Sequence, residues 1–384
     1  MHFIYLIPSL YLLFRYIMPM PWPFYLKVAA AAVLLVGSQY HLVSRVSSGS
    51  VFNPELPWFL IVAFNVAAGT LVFLSIFLLS VELTGWAIKG LGISVPPLSY
   101  NARYALGAFA LALSAFGVSQ AVKVPEIKNV EIEIVGLPSE FEGYRILQLT
   151  DLHLSRLFDA SWAEEVVARA NTLDVDLAVI TGDIIDGDVD ARRDFVAPLT
   201  NLRAKDGVMA IPGNHEYFFG YQDWMAHEEK LGFKMLLNAH HVLERGDSKL
   251  VVAGLTDVSS ARYNGAYPQP DIEAALKGAP RKAPKILLDH QPRMATSNAR
   301  YGVDLQLSGH THGGMIKGLE YVLAKANNGF VSGLYKVGNM KLYVNNGTAL
   351  WPGFAIRIGV PSELTVITLK SSRGPDTRPG HPSK

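Results

Sequence analysis

The 384-residue sequence contains no cysteine. That removes disulfide scaffolds, thiol nucleophiles and thiolate metal sites together, and it leaves the redox compartment open. Charge is also scarce, and the shortage is uneven. Through residue 123 there are six basic side chains (Arg15, Lys27, Arg45, Lys89, Arg103, Lys123) and two acidic ones, Glu55 and Glu82. So few charges cannot clothe a water-facing surface, which places this segment in a bilayer. The remainder holds 28 basic and 31 acidic residues, a formal charge of −3. Such a balance lacks the basic footprint of nucleic-acid binding, and no nucleic-acid partner is expected.

What the first third does have is long apolar runs. Leu56 to Val81 carries no charge and exceeds the ~20 residues that a helix needs to cross hydrocarbon. Tyr104 to Val122 is a second uncharged run of sufficient length, and the stretch between Lys27 and Arg45 reads as a third span, with Tyr40 and His41 suited to a headgroup level. Residues 1–18 are apolar but interrupted by Pro8 and Arg15, and they read either as a short span or as an interfacial anchor. A signal peptide is disfavoured by the absence of a basic leading region and of a small-residue cleavage pattern. The expected plan is a transmembrane region of about four helices over 1–123, a catalytic domain over 124–370 and a disordered tail over 371–384, which lacks apolar residues to bury.

Arg15, Lys27, Lys89 and Arg103 would fall on one membrane face, and Arg45, Lys123 and Lys128 on the other. By the positive-inside rule this one-charge excess leans the C-terminal domain to the extracytoplasmic side of a multi-pass, bacterial-type inner-membrane protein. A channel or carrier is expected to carry ionisable groups in mid-span, and the long runs contain none. The spans therefore read as an anchor.

After Lys123 the texture changes to charged, turn-punctuated sequence, beginning with the alternating strand pattern of PEIKNVEIEIVGLP. A grammar then repeats: a short apolar run followed at once by Asp, His or Asn. RILQLT leads to Asp151 and His153, LAVIT to Gly182 and Asp183, VMAIP to Gly213, Asn214 and His215, KILLD to His290, and DLQLS to Gly309, His310 and His312. Between them, SWAEEVVARANTL reads as a helix opened by a Ser or Asp cap, with Glu164 and Glu165 in its first turn and Val166, Val167 and Ala170 on one face. Strands alternating with helices predict an α/β domain whose ligand loops gather at strand C-termini.

Taken singly, Asp151-Leu152-His153 reads equally well as a turn, Asp183 as a loop cap, and Asn214-His215 as solvated loop residues. Jointly, five of the eleven histidines lie in these five loops, which argues for one site. Mixed Asp, His and Asn ligation without thiolate suits two divalent ions, Mn, Fe or Zn, with a carboxylate bridge. Such a pair can activate water and clamp a phosphoryl group, while a further histidine protonates the leaving group. The chemistry indicated is phosphoester hydrolysis.

The ordered set DLH, GDIID, GNHE, LLDHQP and GHTHGG, spread over roughly residues 140 to 370, resembles the calcineurin-like metallophosphoesterase superfamily. The resemblance implies a double β-sandwich flanked by helices. It implies that Asp151, His153, Asp183 and His312 bind one metal, that Asp183, Asn214, His290 and His310 bind the other, and that His215 is the catalytic histidine. Glu216 and Asp186 match supporting positions. The closing stretch, LYVNNGTALWPGFAIRIGVPSELTVITL, is similar to a bacterial branch of membrane-associated phosphodiesterases and UDP-diacylglucosamine pyrophosphatases. The function this implies is hydrolysis of a phosphodiester or pyrophosphate, with a lipid-linked substrate in view. The alternatives are a phosphomonoesterase or protein phosphatase and, outside enzymes, a membrane metal-binding sensor or transport protein. In the same stretch Trp351 reads as core and Arg357 as a surface charge, so neither joins the site.

Overall fold

The computed structural model describes residues 5–372, so the expected tail lies outside the described residues except for Ser371 and Ser372. The chain forms two compact units. One comprises the residues up to Lys123 together with Ser155–Asp159 and Leu350–Pro361, and the other comprises Val124–Leu154, Ala160–Ala349 and the chain from Ser362.

The first unit is helical: α1 (Leu6–Leu12, continued by a π-turn over Leu13–Ile17), α2 (Phe24–Ser38), α3 (Tyr40–Ser48), α4 (Trp58–Gly90) and α5 (Tyr100–Ala121). Pro8 does not interrupt α1. It occupies the first turn, where a helix has no use for its missing N–H. Among the described residues two helices, α4 and α5, are long and apolar enough to cross a membrane, and α2 with α3 makes a third candidate bent by 52°. The bend lies at the end of the run read as a straight span, where Ser38 Oγ donates to the Leu35 carbonyl at 2.7 Å. A serine bonding back into the preceding turn favours such bends. Helix α4 continues past the uncharged run to include Glu82, whose carboxylate pairs with Arg15 at 2.9 Å.

Polar groups pin the Leu350–Pro361 segment within this unit. The Asn65 side chain, fully buried on α4, donates to the Pro352 carbonyl at 2.9 Å and accepts from the Ala355 N–H at 2.6 Å. Tyr40 Oη also donates to the Pro352 carbonyl, at 2.7 Å. The side chain of Ile356 lies against Gly69 of α4 and Gly117 of α5, where an added Cβ would come within 2.4 and 2.6 Å of it. Arg357, read from sequence as a surface charge, is buried here, with Nη1 donating to the Val360 carbonyl and its own N–H to the Gly117 carbonyl. Trp351 is only half-buried.

Replacing Asn65 by Leu would strand the Ala355 N–H and remove one of two donors to the Pro352 carbonyl. A buried group left unsatisfied costs about 1–3 kcal/mol. Asn65→Leu is therefore expected to lower the unfolding midpoint of the detergent-solubilised protein, and an unchanged midpoint would contradict this role.

The second unit is α/β. In chain order its strands are β1 (Glu126–Val135), β2 (Arg145–Leu149), β3 (Leu177–Thr181), β4 (Val208–Ile211), β5 (Lys234–Met235), β6 (Ala239–Arg245), β7 (Ser248–Gly254), β8 (Lys285–Leu288), β9 (Leu305–Ser308), β10 (Gly333–Val337), β11 (Met340–Val344) and β12 (Glu363–Ser372). They make two six-stranded mixed sheets, ordered β1-β12-β2-β3-β4-β5 and β10-β11-β9-β8-β7-β6. Alternate residues of both sheets meet in one core: Ile146, Val179 and Ile211 from the first, and Val252, Ile286 and Leu307 from the second. The opposite faces of these strands are buried too, with Leu287 and Leu342 in a second cluster. Burial on both faces explains why LAVIT and KILL read as continuous apolar runs rather than alternating ones.

Helix α6 spans Ala160–Asn171 and buries Val166, Val167 and Ala170 on one face. It begins directly after Asp159, one of the two expected caps, rather than after Ser161, so Glu164 and Glu165 lie beyond the first turn. Strands β2, β3 and β4 are mutually parallel, as are β7, β8 and β9. Parallel strands deliver their C-terminal loops to one edge, which is where ligand-bearing loops of an α/β fold collect.

Candidate metal centre

Each of the five expected loops leaves the C-terminal end of its strand: β2 before Asp151, β3 before Asp183, β4 before Asn214, β8 before His290 and β9 before His310. The structure brings all seven expected ligand residues together. Asp151, His153, Asp183, Asn214, His290 and His312 are buried, and His310 is partly so.

Their donor atoms form two groups. In one, His153 Nε2 lies 3.3 Å from His312 Nε2 and 3.8 Å from Asp151 Oδ1, and His312 Nε2 lies 3.5 Å from Asp151 Oδ1. In the other, His290 Nε2 lies 3.3 Å from Asp183 Oδ2 and 3.2 Å from Asn214 Oδ1, with His310 close by. Asp183 Oδ2 is also 3.9 Å from His153 Nε2, so this one carboxylate faces both groups. Imidazole nitrogens and carboxylate oxygens that converge without an apolar spacer satisfy one another poorly, whereas a cation at each convergence satisfies them all. The donor set fits a dinuclear metal site.

The second atoms of the ligands are held as such a site requires. His290 Nδ1 donates to the Thr181 carbonyl at 2.7 Å, and His153 Nδ1 lies 3.2 Å from Asp186 Oδ2, which leaves each Nε2 with its lone pair toward the centre. Thr150 Oγ1 donates to Asp151 Oδ2 at 2.8 Å, and the His215 N–H donates to Asp183 Oδ1 at 2.8 Å. Glu216 accepts from the N–H groups of Gly213, Asp183 and Ile184 at 2.6 to 3.1 Å, tying the second and third loops together.

Five of the seven candidate ligands adopt left-handed backbone: Asp151 (φ 52°), His153 (44°), Asp183 (54°), His310 (68°) and His312 (50°). A non-glycine residue there costs of order 1 kcal/mol or more, and such strain concentrates at functional sites. Gly309 permits a close approach in the site. An added Cβ would sit 2.2 Å from Thr150 Oγ1 and 2.3 Å from Asp151 Oδ2.

His215 is placed differently from the ligands. Its Nδ1 is hydrogen-bonded to Asp186 Oδ1, and its Nε2 lies 3.9 Å from Asp183 Oδ2. Burial alone would push its pKa down, but the charges of Asp183 and Asp186 outweigh burial and raise it above the usual 6.5. Burial likewise works against ionisation of Asp186, and His215 and His153 reverse that, holding its carboxyl below the usual range. Asp186 thus orients two imidazoles at once. Sequence reading gave Asp186 and Glu216 only as supporting positions and missed Thr150 and Thr181, whose signal was their place directly before the Asp151 and Gly182 turns.

Comparison with known proteins gives the family. The calcineurin-like phosphoesterase family profile matches residues 144–314. An uncharacterised metallophosphoesterase of Bacillus subtilis (strain 168) is 33% identical over 278 residues, covering 70% of this chain and 94% of that protein. One of Helicobacter pylori (strain ATCC 700392 / 26695) is 33% identical over 267 residues, covering 68% of this chain and 69% of that protein. A transmembrane protein with metallophosphoesterase domain of Danio rerio is 33% identical over 267 residues, covering 68% of this chain. The chain spans only 61% of that zebrafish protein's length.

Proposed function

Because the chain belongs to the calcineurin-like phosphoesterase family, we propose that it is a membrane-anchored, two-metal phosphoesterase that hydrolyses a phosphodiester or pyrophosphate, in a lipid-linked substrate. The observation that carries the proposal is the convergence of two donor groups on the shared carboxylate of Asp183. Asp151, His153, Asp183 and His312 would hold one divalent ion, and Asp183, Asn214, His290 and His310 the other. Mn, Fe and Zn all suit these nitrogen and oxygen donors.

Bound there, the ions supply the Lewis acidity that activates water and stabilises charge on the phosphoryl oxygens. The protein's own groups do the rest. His215 holds Nε2 3.9 Å from the shared Asp183 carboxylate, and Asp186 fixes the ring through Nδ1 and stabilises its charged form. It is therefore positioned to protonate the leaving oxygen as the bond to phosphorus breaks. Glu216 and the Thr181 carbonyl hold the loops and His290 in place, so little reorganisation is needed during reaction.

The lipid-linked part of the reading draws support from the apolar helices and from relatives named as transmembrane proteins. The catalytic unit is assigned to the extracytoplasmic side on the basic-residue count of the sequence, with the membrane segment as its anchor. The test is a panel assayed on the purified full chain with Mn(II): a chromogenic diester, the matching monoester, and a nucleoside-diphosphate-linked lipid. The proposal expects the diester or the pyrophosphate lipid to show the higher kcat/KM. Preference for the monoester would favour a phosphomonoesterase, and binding without turnover of any of the three would favour a sensor.

A further inference from the structure

The helical unit contains a groove that hydrolysis does not use. It has a volume of about 620 Å³ and is walled by α2, α4 and the α1 segment, with Leu12, Val33, Ala67 and Leu74 among its lining. Its interior offers no free hydrogen-bonding group, because the polar side chains that line it are already committed. Tyr16 Oη donates to the Arg103 carbonyl at 2.8 Å, Trp22 Nε1 to Tyr104 Oη at 2.7 Å, and Thr70 Oγ1 to the Val66 carbonyl at 2.7 Å. An alkyl chain is the occupant that such a wall suits.

One end of the groove is different. The bonds of Tyr16 and Trp22 place residues 103 and 104 beside it, and three cations gather there. Arg103 Nη1 donates to the Arg15 carbonyl at 2.7 Å, and Lys27 Nζ donates to the Met18 carbonyl at 2.7 Å. Arg15 is paired with Glu82, but neither Lys27 nor Arg103 has a carboxylate partner among the described residues. Two unneutralised cations beside an apolar groove complement a negative headgroup attached to an acyl chain, and basic pockets between membrane helices bind anionic headgroups in this way.

We propose that this groove is a binding site for an anionic phospholipid, with one acyl chain between α2 and α4 and the headgroup phosphate at Lys27 and Arg103. The site is separate from the metal centre and does not rest on the hydrolytic reading.

The test titrates phosphatidylglycerol, phosphatidylcholine and glycerol 3-phosphate into the full chain in neutral detergent, reading occupancy by native mass spectrometry. Phosphatidylglycerol is expected to bind about tenfold or more tighter than phosphatidylcholine, and glycerol 3-phosphate not detectably. The double variant Lys27→Gln/Arg103→Gln should lose the headgroup preference yet still take either lipid. Val33→Phe, at an exposed position that lines the groove, should weaken both lipids while the protein stays folded. Equal affinity for the two lipids in the parent chain would overturn the proposal, as would an unaltered preference in the double variant. Tight binding of glycerol 3-phosphate would overturn the acyl-chain part.

Discussion

Asp183→Asn is expected to lower kcat/KM by at least about three orders of magnitude, or about 4 kcal/mol of transition-state stabilisation. The reason is positional. Asp183 Oδ2 lies 3.3 Å from His290 Nε2 and 3.9 Å from His153 Nε2, so among the described residues its carboxylate faces both donor groups. Substitution by asparagine keeps the side-chain shape and tolerates the left-handed backbone, φ 54°, that this position adopts. Only the charge and one oxygen are lost. Affinity for both ions should therefore fall together, while far-ultraviolet circular dichroism stays unchanged. Loss of one ion with full retention of the other would show that Asp183 serves a single site.

The second large effect is expected at His215. His215→Ala should reduce kcat by about 10²- to 10⁴-fold, the usual contribution of a positioned general acid, while metal content is retained. The loss should be smaller for a nitrophenolate leaving group, which departs without protonation, than for an alkoxide. The pH profile carries the same information. Burial opposes the charged imidazole, but Asp183 and Asp186 raise its pKa above the usual 6.5. The active, protonated form thus persists to higher pH than in a free imidazole and is lost as pH rises through the raised value. The parent enzyme should show that alkaline decline, and His215→Ala should lack it. Equal losses for both leaving groups, or loss of metal in the variant, would remove His215 from the role of acid.

The two units were unequally legible in the sequence. The five strands that carry the site were readable because each is buried on both faces and ends abruptly in Asp, His or Asn, as LAVIT does before Gly182 and Asp183. The hairpin of β6 and β7 was not anticipated, since AHHVLER is only half-buried and mixes polar and apolar residues without clear alternation. Nor was the left-handed backbone at Asp151, His153, Asp183, His310 and His312, because neither Asp nor His announces that conformation locally. The loops impose it, and interactions such as those of Glu216 with Gly213, Asp183 and Ile184 hold them.

In the helical unit, sequence reading stopped α4 at the first charge, whereas the pairing of Glu82 with Arg15 lets the helix continue. It also read Arg357 as exposed. Bonds that join Asn65 to Pro352 and Ala355 cross nearly 300 positions of chain, and no local pattern encodes such contacts. The supporting shell of the metal centre was similarly hidden, because the value of Thr150 and Thr181 lies in what they touch rather than in what they are.

The most direct test of a two-metal hydrolytic centre is a metal titration of the full chain, stripped with chelator, while hydrolysis of a chromogenic diester is followed. The structure predicts no hydrolysis in the stripped protein and recovery that saturates near two Mn(II) ions per chain. Undiminished hydrolysis after stripping, with no ion bound, would contradict the account.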